Sequence, residues 1–331
     1  MSILIPLALV LILTLAANKV AVSENPETKK TFTWLLVFLN SVLSLLSLGI
    51  LFLPGEAFLQ LLDSNIGQGD VQVIALILLA TGLWGIFVCW LPFRSLLAKF
   101  IAVDVNSPVH LTALVLVGYL VGNTALSLSQ DLLQQLDITE LTVSVIDVVL
   151  QQTGFVLLAL TGAGLFIRRD LAGVYNRLGL DRPTFGQLLM GSGLILVLII
   201  IQATIGGIWA LLDPEQAAQL GSLNEALLAG FDSIDKWFIL ALASGIGEEM
   251  LFRGALQPVF GLPLTSLLFA IVHIQYGLTP ITFVVFFLGL ILGLVRKYSS
   301  TTVAIFVHFG YNFSLGLLTL LALYLEQFVT T

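Results

Sequence analysis

Long runs of apolar residues alternate with short polar connectors along the chain. The runs lack the strict apolar–polar alternation of strands in a membrane barrel, so each of them indicates a helix. A helix that crosses a bilayer needs about 20 apolar residues, and the runs predict an all-α, polytopic transmembrane bundle of about 8–10 spans. The predicted helices cover residues 2–18, 32–53, 72–93, 108–128, 141–167, 185–212, 236–256, 263–276, 278–295 and 300–325.

Three segments depart from this simple pattern. The run 263–276 is short for a complete crossing, and we expect either a tilted span or a half-helix with 278–295 around Pro280. Segment 170–181 places apolar residues beside charged ones and is predicted to lie flat at the membrane interface. Segment 214–233 has apolar positions at roughly helical spacing and is predicted to be structured as well.

The composition agrees with a membrane location. Of the 331 residues, 58% are hydrophobic and only 10% are charged, whereas soluble domains carry about 25% charged residues. This excludes a water-soluble fold and makes the lipid bilayer the expected environment. The net charge of −7 without a basic face argues against a nucleic-acid partner. Cys89 is the single cysteine, which excludes an internal disulfide and a thiolate zinc cluster.

The sign of the connector charges alternates along the chain. Basic residues occur in connectors 19–31, 94–107 and 168–184, and acidic residues dominate 54–71, 129–140 and 213–235. Because basic connectors face the cytoplasm, the N-terminus is predicted to lie outside. The first span has no basic residues before it, which argues against a cleaved signal peptide. We therefore expect a multi-pass integral protein, and the lack of an organelle-targeting segment favours a bacterial cell membrane.

Ionisable residues inside the apolar runs are the candidates for function. Each costs roughly 2.5–3.5 kcal/mol at mid-membrane, and the run 236–256 carries Glu248, Glu249 and Arg253. Glu249 and Arg253 are four residues apart on one helical face, so they are predicted to form an ion pair. Glu248 is rotated by about 100° around the helix axis and points elsewhere. Glu248 is therefore a candidate general base.

Three more polar residues are predicted to reach the same level of the membrane. At 1.5 Å per residue, Glu248 and His308 lie about 12 Å deep and His273 about 15 Å deep. Asn312 is four residues after His308 and shares its helical face. Each of these alone could serve as an interhelical hydrogen bond, but the four together indicate a functional site.

Asp147 and Gln151 also lie four residues apart, on the predicted span 141–167. Helix packing is their favoured role, and a site or an ion path is the alternative.

Three motifs occur in order: Glu-Glu-x-x-x-Arg from Glu248, Phe-x-x-x-His from Phe269, and His-x-x-x-Asn from His308. This set resembles the CPBP family, which includes the type 2 CAAX prenyl proteases and bacteriocin-immunity proteins. The resemblance covers residues 165–325. It divides the chain into an N-terminal transmembrane extension of about five spans, residues 1–167, and a CPBP-like protease core, residues 168–331.

The resemblance implies an intramembrane endopeptidase that hydrolyses a peptide bond of a membrane-associated protein or peptide. By the family's pattern, Glu248 activates water with assistance from His273, and His308 and Asn312 stabilise the oxyanion. The supporting residues are Glu249 and Arg253. Peptides or membrane-protein precursors are the expected substrates rather than prenylated tails.

Metal dependence stays open at this point. Glu248, His273, His308 and Asn312 could bind zinc and leave a position for water. Asparagine is a poor zinc ligand, however, and the His-Glu-x-x-His spacing of zincins is absent. A metal-free glutamate mechanism is favoured, no cofactor is firmly predicted, and zinc is the alternative.

Two other functions compete with proteolysis. The first is a non-catalytic membrane scaffold or immunity protein, because the CPBP family includes members without demonstrated protease activity. The second is a proton-coupled transporter, since intramembrane Glu and His residues also relay protons. The clustering of these residues at one depth and the lack of a visible inverted repeat argue against a transporter.

Overall fold

A computed structural model describes residues 4–52, 68–129, 142–273, 277 and 279–329. The described residues form helices and no strand, which confirms the all-α fold. Eight helices in the described ranges are long and apolar enough to cross a membrane. This number lies within the predicted range of spans. Most of the predicted acidic connectors 54–71 and 129–140 lies outside the described residues.

The chain divides into two compact units. The first lies within Met1–Ile12, Leu136–Ala270 and Leu278–Thr331, and the second within Leu13–Gln135 and Ile271–Gly277. Residues 142–167 thus belong to the same unit as most of the predicted protease core. The functional division of the chain after residue 167 stays a prediction.

The second unit contains half of α1 and the next four helices. These are α1 (Leu4–Ala21), α2 (Pro26–Phe52), α3 (Gln68–Cys89), α4 (Leu91–Leu97) and α5 (Pro108–Ser129). Helix α3 packs between α2 and α5. The Nε1 atom of Trp84 on α3 donates a hydrogen bond of 2.8 Å to the carbonyl oxygen of Leu114 on α5.

The first unit contains the remaining helices. These are α6 (Val145–Ala163), α7 (Leu171–Leu178), α8 (Phe185–Leu212), α9 (Pro214–Leu228), α10 (Ile234–Glu249), α11 (Gln257–Ile271), α12 (Pro280–Tyr298) and α13 (Thr301–Val329). Helix α10 packs against α6 and α13, and α13 also packs against α8 and α12. The core of this unit therefore surrounds α10 and α13, the helices with Glu248 and His308.

The predicted spans 236–256 and 263–276 are joined in the structure. They form one helical run, Ile234–Ile271, of 38 residues. A π-helical turn, Met250–Leu256, connects α10 to α11. A straight helix of this length would measure about 57 Å, nearly twice the hydrocarbon thickness. The run is instead kinked at Gly261, whose φ of 75° is a conformation that glycine adopts without steric cost. Gly261 lies between the two predicted spans, so the run consists of two helical segments that meet at this kink.

The two structured connectors are confirmed as helices. In α7 the side chains of Leu171 and Tyr175 are exposed, whereas Val174 and Leu178 are buried. The helix begins where the Asp170 carboxylate accepts a hydrogen bond of 2.8 Å from the backbone N–H of Gly173. Helix α7 therefore has one exposed and one buried face and is amphipathic, as the sequence predicts. Helix α9 lies within the second predicted segment, 214–233.

Candidate active site

The two adjacent carboxylates end α10. Glu248 and Glu249 are both buried, and the π-helical turn begins at the next residue, Met250. A π-turn adds one residue to a helical turn and is frequent at functional sites. Their side chains contact different helices, as the rotation of about 100° per residue predicts.

The predicted ion pair between Glu249 and Arg253 is present. The Nε atom of Arg253 lies 3.1 Å from Oε2 of Glu249, and both side chains are fully buried. The guanidinium carbon of Arg253 also lies 4.7 Å from the ring centroid of Phe269. The buried cation is thus compensated by a carboxylate and by the face of an aromatic ring.

His308 contacts Glu249 rather than Glu248. Its Nδ1 atom lies 2.9 Å from Oε1 of Glu249, and the imidazole is buried. A carboxylate paired with arginine is ionised and can only accept, so Nδ1 of His308 carries a hydrogen and donates it. Glu249 therefore connects the first motif on α10 to the third motif on α13.

Asn312 also contacts α10, on the same side as His308. Its Nδ2 atom donates a hydrogen bond of 3.0 Å to Oγ of Ser244. Ser244 in turn donates to the carbonyl oxygen of Ala241, at 3.2 Å. Ser244 lies one helical turn before Glu248, so the predicted common face of His308 and Asn312 is directed at the helix with the two carboxylates.

Glu248 has a partner that the sequence did not predict. The Nε2 atom of Gln152, on α6, donates a hydrogen bond of 2.9 Å to Oε1 of Glu248. Gln152 is buried, whereas the neighbouring Gln151 is exposed. The sequence shows only that this polar residue lies within an apolar run. Gln151 and Gln152 share that property, so the sequence does not indicate which of them contacts Glu248.

The role considered for Asp147 was wrong. Asp147 forms a capping box with Ser144 at the start of α6: each side chain accepts a hydrogen bond from the other residue's backbone N–H. Its carboxylate is therefore used to begin the helix and does not contribute to packing or to an ion path.

The comparison with protein families supports the resemblance seen in the motifs. Residues 231–314 match the family model of type II CAAX prenyl endopeptidases, Rce1-like. The match agrees with the CPBP and CAAX protease family and contains all seven motif residues. No curated protein and no solved structure matches the chain.

Two glycines allow α10, the first helix of the matched segment 231–314, to approach α13 and α6 closely. A Cβ atom on Gly245 would lie 3.1 Å from the backbone nitrogen of Phe309 on α13. A Cβ atom on Gly247 would lie 2.8 Å from the backbone oxygen of Gln152 on α6 and would overlap its amide. Larger residues at these positions would separate α10 from α13 on one side and from α6 on the other.

The amphipathic helix α7 is hydrogen-bonded to the π-helical turn after α10 and to the start of α13. Arg177 donates hydrogen bonds to the carbonyl oxygens of Gly254 and Ala255, at 2.9 and 3.4 Å. The hydroxyl of Thr301, at the start of α13, donates to the carbonyl oxygen of Leu178. Burial lowers the pKa of the Arg177 guanidinium, and the nearby charge of Arg169 lowers it further.

His273, which also lies in the matched segment, follows the end of α11 and is half-buried. It belongs to the second compact unit, whereas Glu248 and His308 belong to the first. The predicted cooperation of His273 with Glu248 therefore stays a prediction.

The described residues contain no group of three or more His, Cys, Asp or Glu side chains that could hold a metal ion. His308 and Arg253 each occupy one oxygen of Glu249, and Asn312 is bonded to Ser244. Of the four side chains considered for zinc, Glu248, His308 and Asn312 each have one polar atom bonded to another protein group.

Proposed function

We propose that the protein is an intramembrane endopeptidase that cleaves a membrane-associated protein or peptide by means of water activated by Glu248. The observation that carries this proposal is the different environment of the two adjacent carboxylates. Glu249 is held by the cation Arg253 and by His308. Glu248 accepts a hydrogen bond from the neutral amide of Gln152 on another helix, a partner that leaves it able to take a proton.

The proposed reaction uses Glu248 as the general base. The carboxylate removes a proton from water, and the resulting hydroxide adds to the carbonyl carbon of the scissile bond. The tetrahedral intermediate then expels the amine as Glu248 returns the proton to the leaving nitrogen. Proton transfer by a positioned group contributes roughly 10²–10⁴-fold to such reactions. By the motif resemblance, His273 assists Glu248 when the water is activated.

His308 and Asn312 are the proposed donors to the oxyanion. Nδ1 of His308 already donates to Glu249, so a second hydrogen bond to the substrate must come from Nε2. Nε2 carries a hydrogen at the same time only in the imidazolium form, and the carboxylate of Glu249 stabilises that form. Glu249 and Arg253 thereby support the site without touching the reacting atoms.

An apolar cavity near the third motif is consistent with a substrate that has an apolar segment. A cavity of about 220 Å³ lies between α8, α12 and α13, and its lining includes Leu198, Phe287 and Tyr311. Tyr311 directly precedes Asn312 in α13. A cavity of this size and character can hold an apolar side chain. We propose that it accepts part of the substrate beside the scissile bond.

The proposed mechanism is metal-free. Asparagine is a poor zinc ligand, and the His-Glu-x-x-His spacing of zincins is absent from the sequence. Chelators are therefore expected to leave the activity intact. Loss of activity on chelation, with recovery on addition of zinc, would contradict the metal-free mechanism.

We also propose that the protein is a multi-pass protein of a bacterial cell membrane with its N-terminus outside. The basic connectors, among them the one with Arg168, Arg169 and Arg177, then face the cytoplasm. Labelling of single cysteines introduced at both ends of α6, in a Cys89→Ala background, tests this orientation.

The activity itself is tested with purified protein in liposomes. The protein is incubated with solubilised membrane proteins, and newly formed peptide termini are identified by mass spectrometry. The proposal predicts termini with the parent protein and none with Glu248→Gln, which keeps the size of the side chain but cannot act as a base. Equal termini with both proteins would contradict the assignment of Glu248.

A further inference from the structure

Gln152 lies outside the segment that matches the Rce1-like family, yet it contacts the carboxylate proposed as the base. The match covers residues 231–314, and Gln152 is on α6. Its Nε2 atom lies 2.9 Å from Oε1 of Glu248. Both side chains are buried, with relative exposures of 6% for Gln152 and 7% for Glu248. The hydrogen bond is therefore shielded from water and is stronger than an exposed one.

The packing of α6 against α10 keeps the two residues together. Gly247, next to Glu248, provides the space for the backbone and amide of Gln152. About one turn further along both helices, the rings of Phe155 and Phe252 meet edge to face with centroids 6.4 Å apart. The position of the Gln152 amide is thus determined by contacts on both sides of the hydrogen bond.

A role in packing alone does not explain an amide at this position. The Oε1 atom of Gln152 is buried and accepts no hydrogen bond from the described residues. A buried acceptor without a donor is unfavourable, and a leucine or methionine would fill the same space without that cost. The amide is useful only for the hydrogen bond that its nitrogen donates to Glu248.

A neutral donor also suits a general base better than a cation does. An arginine beside the carboxylate would favour its ionised form and would weaken it as a base. An amide N–H fixes the orientation of the carboxylate and adds no charge.

We propose that Gln152 is a positioning residue that orients Glu248 for proton transfer. This role rests on the proposed function and deepens it. It assigns part of the site to a helix of the predicted N-terminal extension, so the protease core would not be sufficient by itself.

The test compares the same substitution at two adjacent glutamines. Gln152→Met keeps the length of the side chain and removes the donor, and Gln151→Met makes this change at an exposed position. The substrate is a quenched fluorescent peptide that spans a cleavage site mapped with the parent protein. We expect kcat to fall about 10–100-fold for Gln152→Met, because misplacing a catalytic group by about 1 Å can cost this much. KM should be unchanged, and Gln151→Met should resemble the parent.

The pH dependence distinguishes positioning from a general structural defect. Loss of a donor to the ionised base should move the acidic limb of the pH–kcat profile of Gln152→Met to higher pH. A protein that is only partly folded would lose amplitude and keep the shape of the profile. Parental kcat and pH profile in Gln152→Met would overturn the positioning role while leaving the proposed function intact.

Two further results complete the test. If Gln152→Met does not fold, Gln152→Asn retains an amide that is one methylene too short to reach Glu248, and the same loss of kcat is expected. Parental kcat in that variant would also overturn the role. If the parent shows no cleavage that depends on Glu248, the proposed function and the role of Gln152 are both overturned.

Discussion

The imidazole of His308 and the carboxylate of Glu249 are joined by a buried hydrogen bond of 2.9 Å. The two residues belong to different motifs and are 59 positions apart in the chain. The same carboxylate also pairs with Arg253 at 3.1 Å. Glu249 is therefore the centre of a buried cluster, and the stability of this cluster depends on each member being present.

Removal of Arg253 should destabilise the protein strongly. Arg253→Ala leaves the buried carboxylate of Glu249 without its cation, and breaking a buried pair in this way costs about 3–5 kcal/mol. We expect a large fall in the thermal unfolding temperature in detergent. The control is Lys236→Ala, which removes an exposed pair with Asp232, also four residues apart, and should have little effect. If Arg253→Ala unfolds at the parental temperature, the buried pair does not stabilise the protein.

A methyl group on Gly247 should disturb the contact between α6 and α10. Its Cβ atom would lie 2.8 Å from the backbone oxygen of Gln152, so the helices must move apart. Overpacking of this kind costs about 1–3 kcal/mol, and turnover should fall as well because Glu248 is displaced from Gln152. Gly193→Ala is the matched control on α8, where a Cβ atom meets nothing within 4 Å. Equal unfolding temperatures and activities for the two variants would show that the close approach at Gly247 is not required.

Arg177 should stabilise the π-helical turn that follows α10. Arg177→Ala removes the hydrogen bonds to the carbonyl oxygens of Gly254 and Ala255. Hydrogen bonds to charged groups contribute about 1.5–3 kcal/mol, and the partial exposure of Arg177 places the expected effect at the lower end. Arg182→Ala, in the same connector but exposed, is the control and should be neutral. Protease accessibility of the connector measures the difference, and equal rates would contradict the role of Arg177.

Asn312 should affect turnover more than stability. Loss of one oxyanion donor typically lowers turnover by roughly 10²–10³-fold, and this is the expected fall in kcat for Asn312→Ala. Ser244→Ala removes the acceptor that orients Asn312 and should reduce kcat by a smaller factor. If Ser244→Ala has the larger effect, Asn312 acts mainly by linking α13 to α10.

Local helical geometry was sufficient to predict part of the site from the sequence. The pair Glu249–Arg253 follows from a spacing of four residues, and the separate direction of Glu248 follows from the rotation per residue. The amphipathic helix α7 follows from its pattern of apolar and charged residues. These features need no knowledge of how the helices are arranged.

Features that depend on neighbouring helices could not be predicted in this way. The depth of His308 suggested Glu248 as its neighbour, whereas the rotation of α13 directs it to Glu249. Gln151 and Gln152 are equivalent in the sequence, and only the packing of α6 against α10 selects Gln152. The π-turn and the kink at Gly261 are likewise features that hydrophobic periodicity does not reveal.

The central claim is that Glu248 activates water for peptide hydrolysis, and peptide termini in whole membranes test it most directly. Termini are compared by mass spectrometry between cells that express the parent protein and cells that express Glu248→Gln at the same level. The account predicts a set of termini present only with the parent, and a folded Glu248→Gln protein that produces none of them. Identical sets of termini from two equally folded and equally abundant proteins would contradict it.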